Sequence, residues 1–125
     1  MQDIRRVLCW IFAATCLLHL LVAARSTLWV IYRHIALSSR ASLITEASIS
    51  LVVALVCGAA WWNIWRGHRY ARSWGIAASL ANVSVFVRSN LVYPRSQWSA
   101  HLGALFIGVV GLIAFLQPYD GTDAD

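Results

Sequence analysis

Residues 61–74 read Trp-Trp-Asn-Ile-Trp-Arg-Gly-His-Arg-Tyr-Ala-Arg-Ser-Trp, with a long apolar run on either side. Indole and phenol rings settle at the level of lipid headgroups, because one end is apolar and the other hydrogen-bonds to water. Arg beside them reaches phosphate. Trp61, Trp62, Trp65, Tyr70 and Trp74 with Arg66, Arg69 and Arg72 therefore form an anchored turn at a membrane surface, joining two spanning helices.

Composition supports that medium. The chain of 125 residues is 60% hydrophobic and only 12% charged, against roughly 25% charged in an ordinary soluble domain. A soluble fold of one small domain has too few charges to cover that much apolar surface. The formal charge is +5, and all ten basic residues are Arg. They sit at the ends of apolar runs, where lipid phosphate is the natural partner, and no nucleic-acid motif accompanies them. Cys9, Cys16 and Cys57 fall inside apolar runs and contain no C-x-x-C, so neither a disulfide framework nor a zinc knuckle is indicated.

The expected architecture is all-α: an integral membrane bundle of four antiparallel helices in a single domain, with both termini on one side. The helices are expected at about 5–24, 41–65, 71–92 and 97–117. The first apolar run, residues 7–24, resembles a secretory signal ending in Val22-Ala23-Ala24. Its eighteen residues approach the roughly 20 that span a bilayer, so it reads as a retained helix. Residues 26–39 are too short to span and too apolar to float free, which suggests an interfacial helix or a continuation of helix 1. Pro94 disfavours helix at Tyr93, and the acidic tail 119–125 should be solvated.

Arg5, Arg6, Arg66, Arg69 and Arg72 would share one side, and Arg25, Arg33, Arg40, Arg88 and Arg95 the other. The positive-inside rule ties on the total. The tight cluster at the turn and the first helix favour cytoplasmic termini in a bacterial inner membrane. Residues three and four apart share a helical face. The expected core stripes are Cys9, Phe12, Cys16, His19 and Ala23; Ser42, Glu46, Ser50, Val53 and Cys57; Gly75, Ser79, Asn82, Phe86 and Ser89; and Ala100, Ala104, Gly108 and Gly111. Small residues let membrane helices approach, and polar ones bond across.

Intramembrane polar groups mark function by default. The antiparallel arrangement would gather His19, Glu46, Arg88 and His101 in one half of the membrane, with Asn82 deeper and Glu46–Arg88 as an ion pair. Against this stand structural roles: snorkelling for Arg88, an interfacial position for Glu46, and ordinary hydrogen bonding for the histidines.

Neither a nucleophile elbow nor a zinc pair nor a carboxylate dyad appears, so no catalytic machinery is evident. The expected role is that of an accessory or assembly subunit, packed against lipid and against other membrane subunits or copies of itself. Two alternatives come from different classes. His19 and His101 are the residue type that ligates haem b, which would make the chain a haem- or quinone-binding redox subunit. Four helices, this length, one membrane carboxylate and a tied charge bias resemble the small multidrug resistance family. That resemblance implies an antiparallel dimer in which a helix-1 Glu exchanges protons for substrate. Here helix 1 carries His19 instead, and the acid is Glu46 on helix 2.

Overall fold

The computed structural model describes residues 2–32, 37–92 and 98–117, and these form four helices. They are α1 (Gln2–Tyr32), α2 (Leu37–Trp65), α3 (Ala71–Val92) and α4 (Trp98–Leu116). Asp3–Tyr32, Ser39–Trp65 and Ala71–Val92 are each long and apolar enough to cross a membrane. The apolar stretch of α4, His101–Leu116, is shorter.

Of the two forms expected for residues 26–39, the described part before residue 33 takes the second, a continuation of helix 1. Helix α1 continues unbroken through Arg25 to Tyr32, and α2 already begins at Leu37. The physical reason is that a charge marks where side chains leave hydrocarbon, not where backbone hydrogen bonding stops. No Gly or Pro interrupts residues 2–32, and the Thr27 hydroxyl folds back onto the Ala23 carbonyl at 2.8 Å without breaking the helix. Residues 33–36 of that segment, the Pro94 stop and the acidic tail lie outside the described residues.

At 1.5 Å per residue, the 31 residues of α1 and the 29 of α2 give lengths of about 46 and 43 Å. The 22 of α3 and 19 of α4 give only about 33 and 28 Å, close to a hydrocarbon core of roughly 30 Å. The α1–α2 pair is therefore the long half of the molecule.

A glycine cap ends α2. Gly67 takes the left-handed conformation, with φ 66°. Its N–H reaches the Ile64 carbonyl at 3.2 Å, and the His68 N–H reaches Asn63 at 3.0 Å. These paired bonds satisfy carbonyls that the last turn leaves open, and a side chain at Gly67 would oppose the backbone angle they require. Only three residues separate Gly67 from the start of α3 at Ala71, so the turn predicted from Arg66-Gly67 is tight.

Packing is most extensive between α1 and α2 and between α3 and α4, with α2 also against α3. The shared core holds Leu8, Phe12, Val53, Cys57, Ala60, Ala78, Ala114 and Phe115. Ser50, Ser79, Asn82 and Ser89 are buried with them. Outside, Trp10, Leu17, Leu18, Leu21, Leu55 and Phe106 are exposed. Large apolar side chains outward and small or polar ones inward reverse the soluble pattern and suit hydrocarbon as the solvent.

The α3–α4 contact depends on missing side chains. A Cβ on Gly111 would overlap Ser79 Oγ, and one on Gly108 would lie 2.8 Å from the Ser79 carbonyl oxygen. On the α3 side, a Cβ on Gly75 would lie 2.7 Å from the Phe115 ring. Phe115 in turn stacks on Phe12 of α1, with centroids 6.3 Å apart.

Candidate functional site

The five polar residues expected inside the membrane differ in what surrounds them. Asn82 is the one fully committed to the core. Its Nδ2 donates to the Ala78 carbonyl at 2.9 Å and approaches Cys57 Sγ at 3.7 Å. His19 is half-buried, and its Nδ1 is shielded without a hydrogen-bond partner. Glu46, Arg88 and His101 are also half-buried.

No hydrogen bond or ion pair joins His19, Glu46 and Arg88 to one another among the described residues. Arg88 instead borders an outward groove between α2 and α3, beside Ser48, Ile49 and Val85. Helix register explains the separation of His19 from Glu46. Gly58 lies against Cys16, so His19 stands opposite about residue 55. Glu46 is about nine residues further along, or roughly 13 Å at 1.5 Å per residue. An antiparallel topology would assign residues to a half of the membrane, but not to a common level or face.

Other polar groups in the helices bond within their own helix. Thr15, Thr45, Ser48, Ser79, Ser84 and Ser89 each donate to the carbonyl four residues back. Such bonds satisfy a hydroxyl in hydrocarbon without a neighbour. They leave little polar capacity for a substrate. No group of three His, Cys, Asp or Glu side chains gathers as metal ligands among the described residues.

The densest convergence lies at the other end, around the Trp-rich turn. Arg5 reaches from α1 to the Ala114 carbonyl of α4, with Nε at 3.3 Å and Nη2 at 3.2 Å. Arg72 reaches from α3 to Phe115 (Nε, 2.9 Å) and Leu116 (Nη2, 3.0 Å). The last carbonyls of a helix lack intrahelical donors and carry the negative end of its dipole. Two guanidinium groups thus hold the carboxyl end of α4 from two other helices. Cys9 Sγ lies 3.5 Å from the Trp61 carbonyl, which brings the end of α2 to the same place.

Comparison with family models, curated proteins and solved structures finds no match.

The aromatic residues of the turn are ordered by one another and by Arg66. Trp61 and Trp65 stack with planes 7° apart and centroids 6.0 Å apart. Arg66 lies over Trp62 at 4.7 Å and over Trp65 at 5.4 Å, and Arg69 over Tyr70 at 4.6 Å. Cation–π contact holds each guanidinium against its ring. Trp74 is exposed just inside α3.

A cavity of ≈ 510 Å³ opens among Arg5, Arg6, His68, Arg69 and Arg72, floored by Ile64 and Phe115. Sequence reasoning put Arg66, Arg69 and Arg72 among the anchors, but gave Arg5, Arg6 and His68 no part in a site. The available signal was the pair Arg5-Arg6 opening α1, which an antiparallel chain returns to the side of the 66–72 turn.

Proposed function

We propose that this chain is an antiparallel four-span bundle that serves as an interaction subunit in a membrane assembly. The termini and the α2–α3 turn would face the cytoplasm. Convergence of Arg5, Arg6 and the Arg-bearing turn at one end supports this orientation under the positive-inside rule.

One observation carries the interaction reading. On the long α1–α2 half, an outward groove of ≈ 520 Å³ is lined by the small residues Ala23, Ala24, Thr27, Ala47 and Ser48 together with Leu20, Val30, Ile31, Ile44 and Leu51. A surface that meets only lipid has no need of small residues, whereas a neighbouring helix does, because they let backbones approach. Thr27 and Ser48 already donate to Ala23 and Ile44 of their own helices. The groove is accordingly neutral and suited to an apolar helix, from another subunit or a second copy.

Extraction in a mild detergent followed by native mass spectrometry tests the proposal. Wild type should carry a partner subunit or a second copy, and Ala24→Leu with Ser48→Leu, which fill the groove, should release it. A lone monomer from both wild type and variant would refute the reading.

A further inference from the structure

The cavity at the Arg-rich end is lined by four Arg and one His drawn from α1, the α2–α3 turn and α3, and, among the described residues, by no carboxylate. Bringing like charges together is unfavourable unless each finds a counter-charge. Arg5 and Arg72 find theirs in the carbonyls that end α4. Arg6 makes no hydrogen bond or ion pair among the described residues. Arg69 has the Tyr70 ring at 4.6 Å, which orients the guanidinium without neutralising it. The cavity therefore keeps an excess of positive charge at Arg6 and Arg69, with His68 beside them.

Three features narrow the ligand. Guanidinium presents a planar fork of N–H donors that matches phosphate oxygens. The same end of the molecule carries Trp62, Trp65 and Tyr70, exposed side chains that settle at headgroup level. Ile64 and Phe115 give the cavity an apolar side, fitting glycerol and the first acyl carbons better than a free ion.

We propose that this cavity binds the phosphate of an anionic phospholipid, with Arg6 and Arg69 as its principal clamps. A zwitterionic lipid also brings an ammonium, which the surrounding guanidinium groups repel, so phosphatidylglycerol is favoured over phosphatidylcholine. The proposal requires only that the chain is embedded in a membrane, and stands apart from the question of its protein partners.

Full-length protein in detergent is titrated with dioleoyl phosphatidylglycerol or dioleoyl phosphatidylcholine, and bound lipid is read by native mass spectrometry. Wild type should retain phosphatidylglycerol about tenfold more strongly, the size of one charge-assisted contact. The double variant Arg6→Gln, Arg69→Gln should lose the preference, while Arg25→Gln, on the remote part of α1, should keep it. Neither substituted residue in the double variant ties helices together, and an unchanged helical spectrum checks that the fold survives.

Equal retention of both lipids by wild type would overturn the proposal, as would full retention of phosphatidylglycerol by the double variant. Displacement of the lipid by about 10 mM inorganic phosphate would assign the site to free anions instead. Binding that appears only in the variant Asp120→Asn, Asp123→Asn, Asp125→Asn would assign the cavity to the chain's own acidic tail, and would equally overturn it.

Discussion

Arg72 Nε lies 2.9 Å from the main-chain oxygen of Phe115, so a side chain at the start of α3 closes the end of α4. Its Nη2 does the same for Leu116. Hydrogen bonds from a charged donor contribute about 1.5–3 kcal/mol each where they are buried. Arg72 is exposed, and water competes for both partners, which argues for the lower end.

Arg72→Gln should therefore destabilise the protein by about 1–2 kcal/mol, measured by thermal unfolding in detergent. Arg72→Lys should recover only part of that loss, since an ammonium lacks the fork that reaches two carbonyls. Equal stability of wild type and Arg72→Gln would mean that α4 is held by its apolar contacts alone.

The α3–α4 contact makes a sharper contrast between two glycines of the same helix. At Gly111 a methyl group meets Ser79 Oγ, whereas at Gly103 nothing lies within 4 Å. Gly111→Ala should force the helices apart and cost about 1–3 kcal/mol. Gly103→Ala should be neutral or stabilising by up to about 1 kcal/mol, through helix propensity. Unfolding of both variants in the same detergent reads the difference, and similar effects would show that α3 and α4 do not pack this closely.

Asn82 tests the polar part of the core. It is 1% exposed and bonds to Ala78 and Cys57. The bond to Ala78 is local to α3, so removing it costs little helix–helix attraction. Hydrogen bonds between membrane helices average only about 0.6 kcal/mol, and the void left by truncation adds to that. Asn82→Ala should destabilise by about 1–2 kcal/mol. Asn82→Asp should be worse, because it puts an acceptor where Nδ2 now donates to a carbonyl. Equal tolerance of both would place Asn82 in a wetter setting than its burial implies.

What could be read from the sequence, and what could not, follows from the range of the interactions. The end of α2 is local: Gly67 supplies the left-handed residue that stops it. Burial of Phe12, Cys57, Ser79 and Gly111 is also local, since spacings of three and four put small and polar residues on one face. The full reach of α1 was obscured because Arg25 looks like a boundary, although the helix runs through it to Tyr32. The bonds of Arg5 and Arg72 were beyond reach. They join residues 109 and 43 positions apart, and nothing near either Arg says that a helix end will arrive there. For the same reason the polar set of His19, Glu46, Arg88 and His101 could be assigned to a half of the membrane but not to a common surface.

Accessibility of thiols tests which groups are inside and which ends share a side. Cys9 and Cys57 are buried, and Cys16 is half-covered where it meets Gly58. In intact vesicles the three native thiols should resist a membrane-impermeant maleimide, because each lies within a helix long and apolar enough to span, behind packed neighbours. His68→Cys puts a thiol on an exposed turn residue, and Gln117→Cys puts one just past α4, whose last carbonyls Arg72 holds from beside that turn. Both new thiols should label from the same face of the membrane and neither from the opposite face. Labelling from opposite faces would contradict the Arg72 bonds to Phe115 and Leu116, since no single fold can place those two ends across a bilayer and within hydrogen-bonding distance.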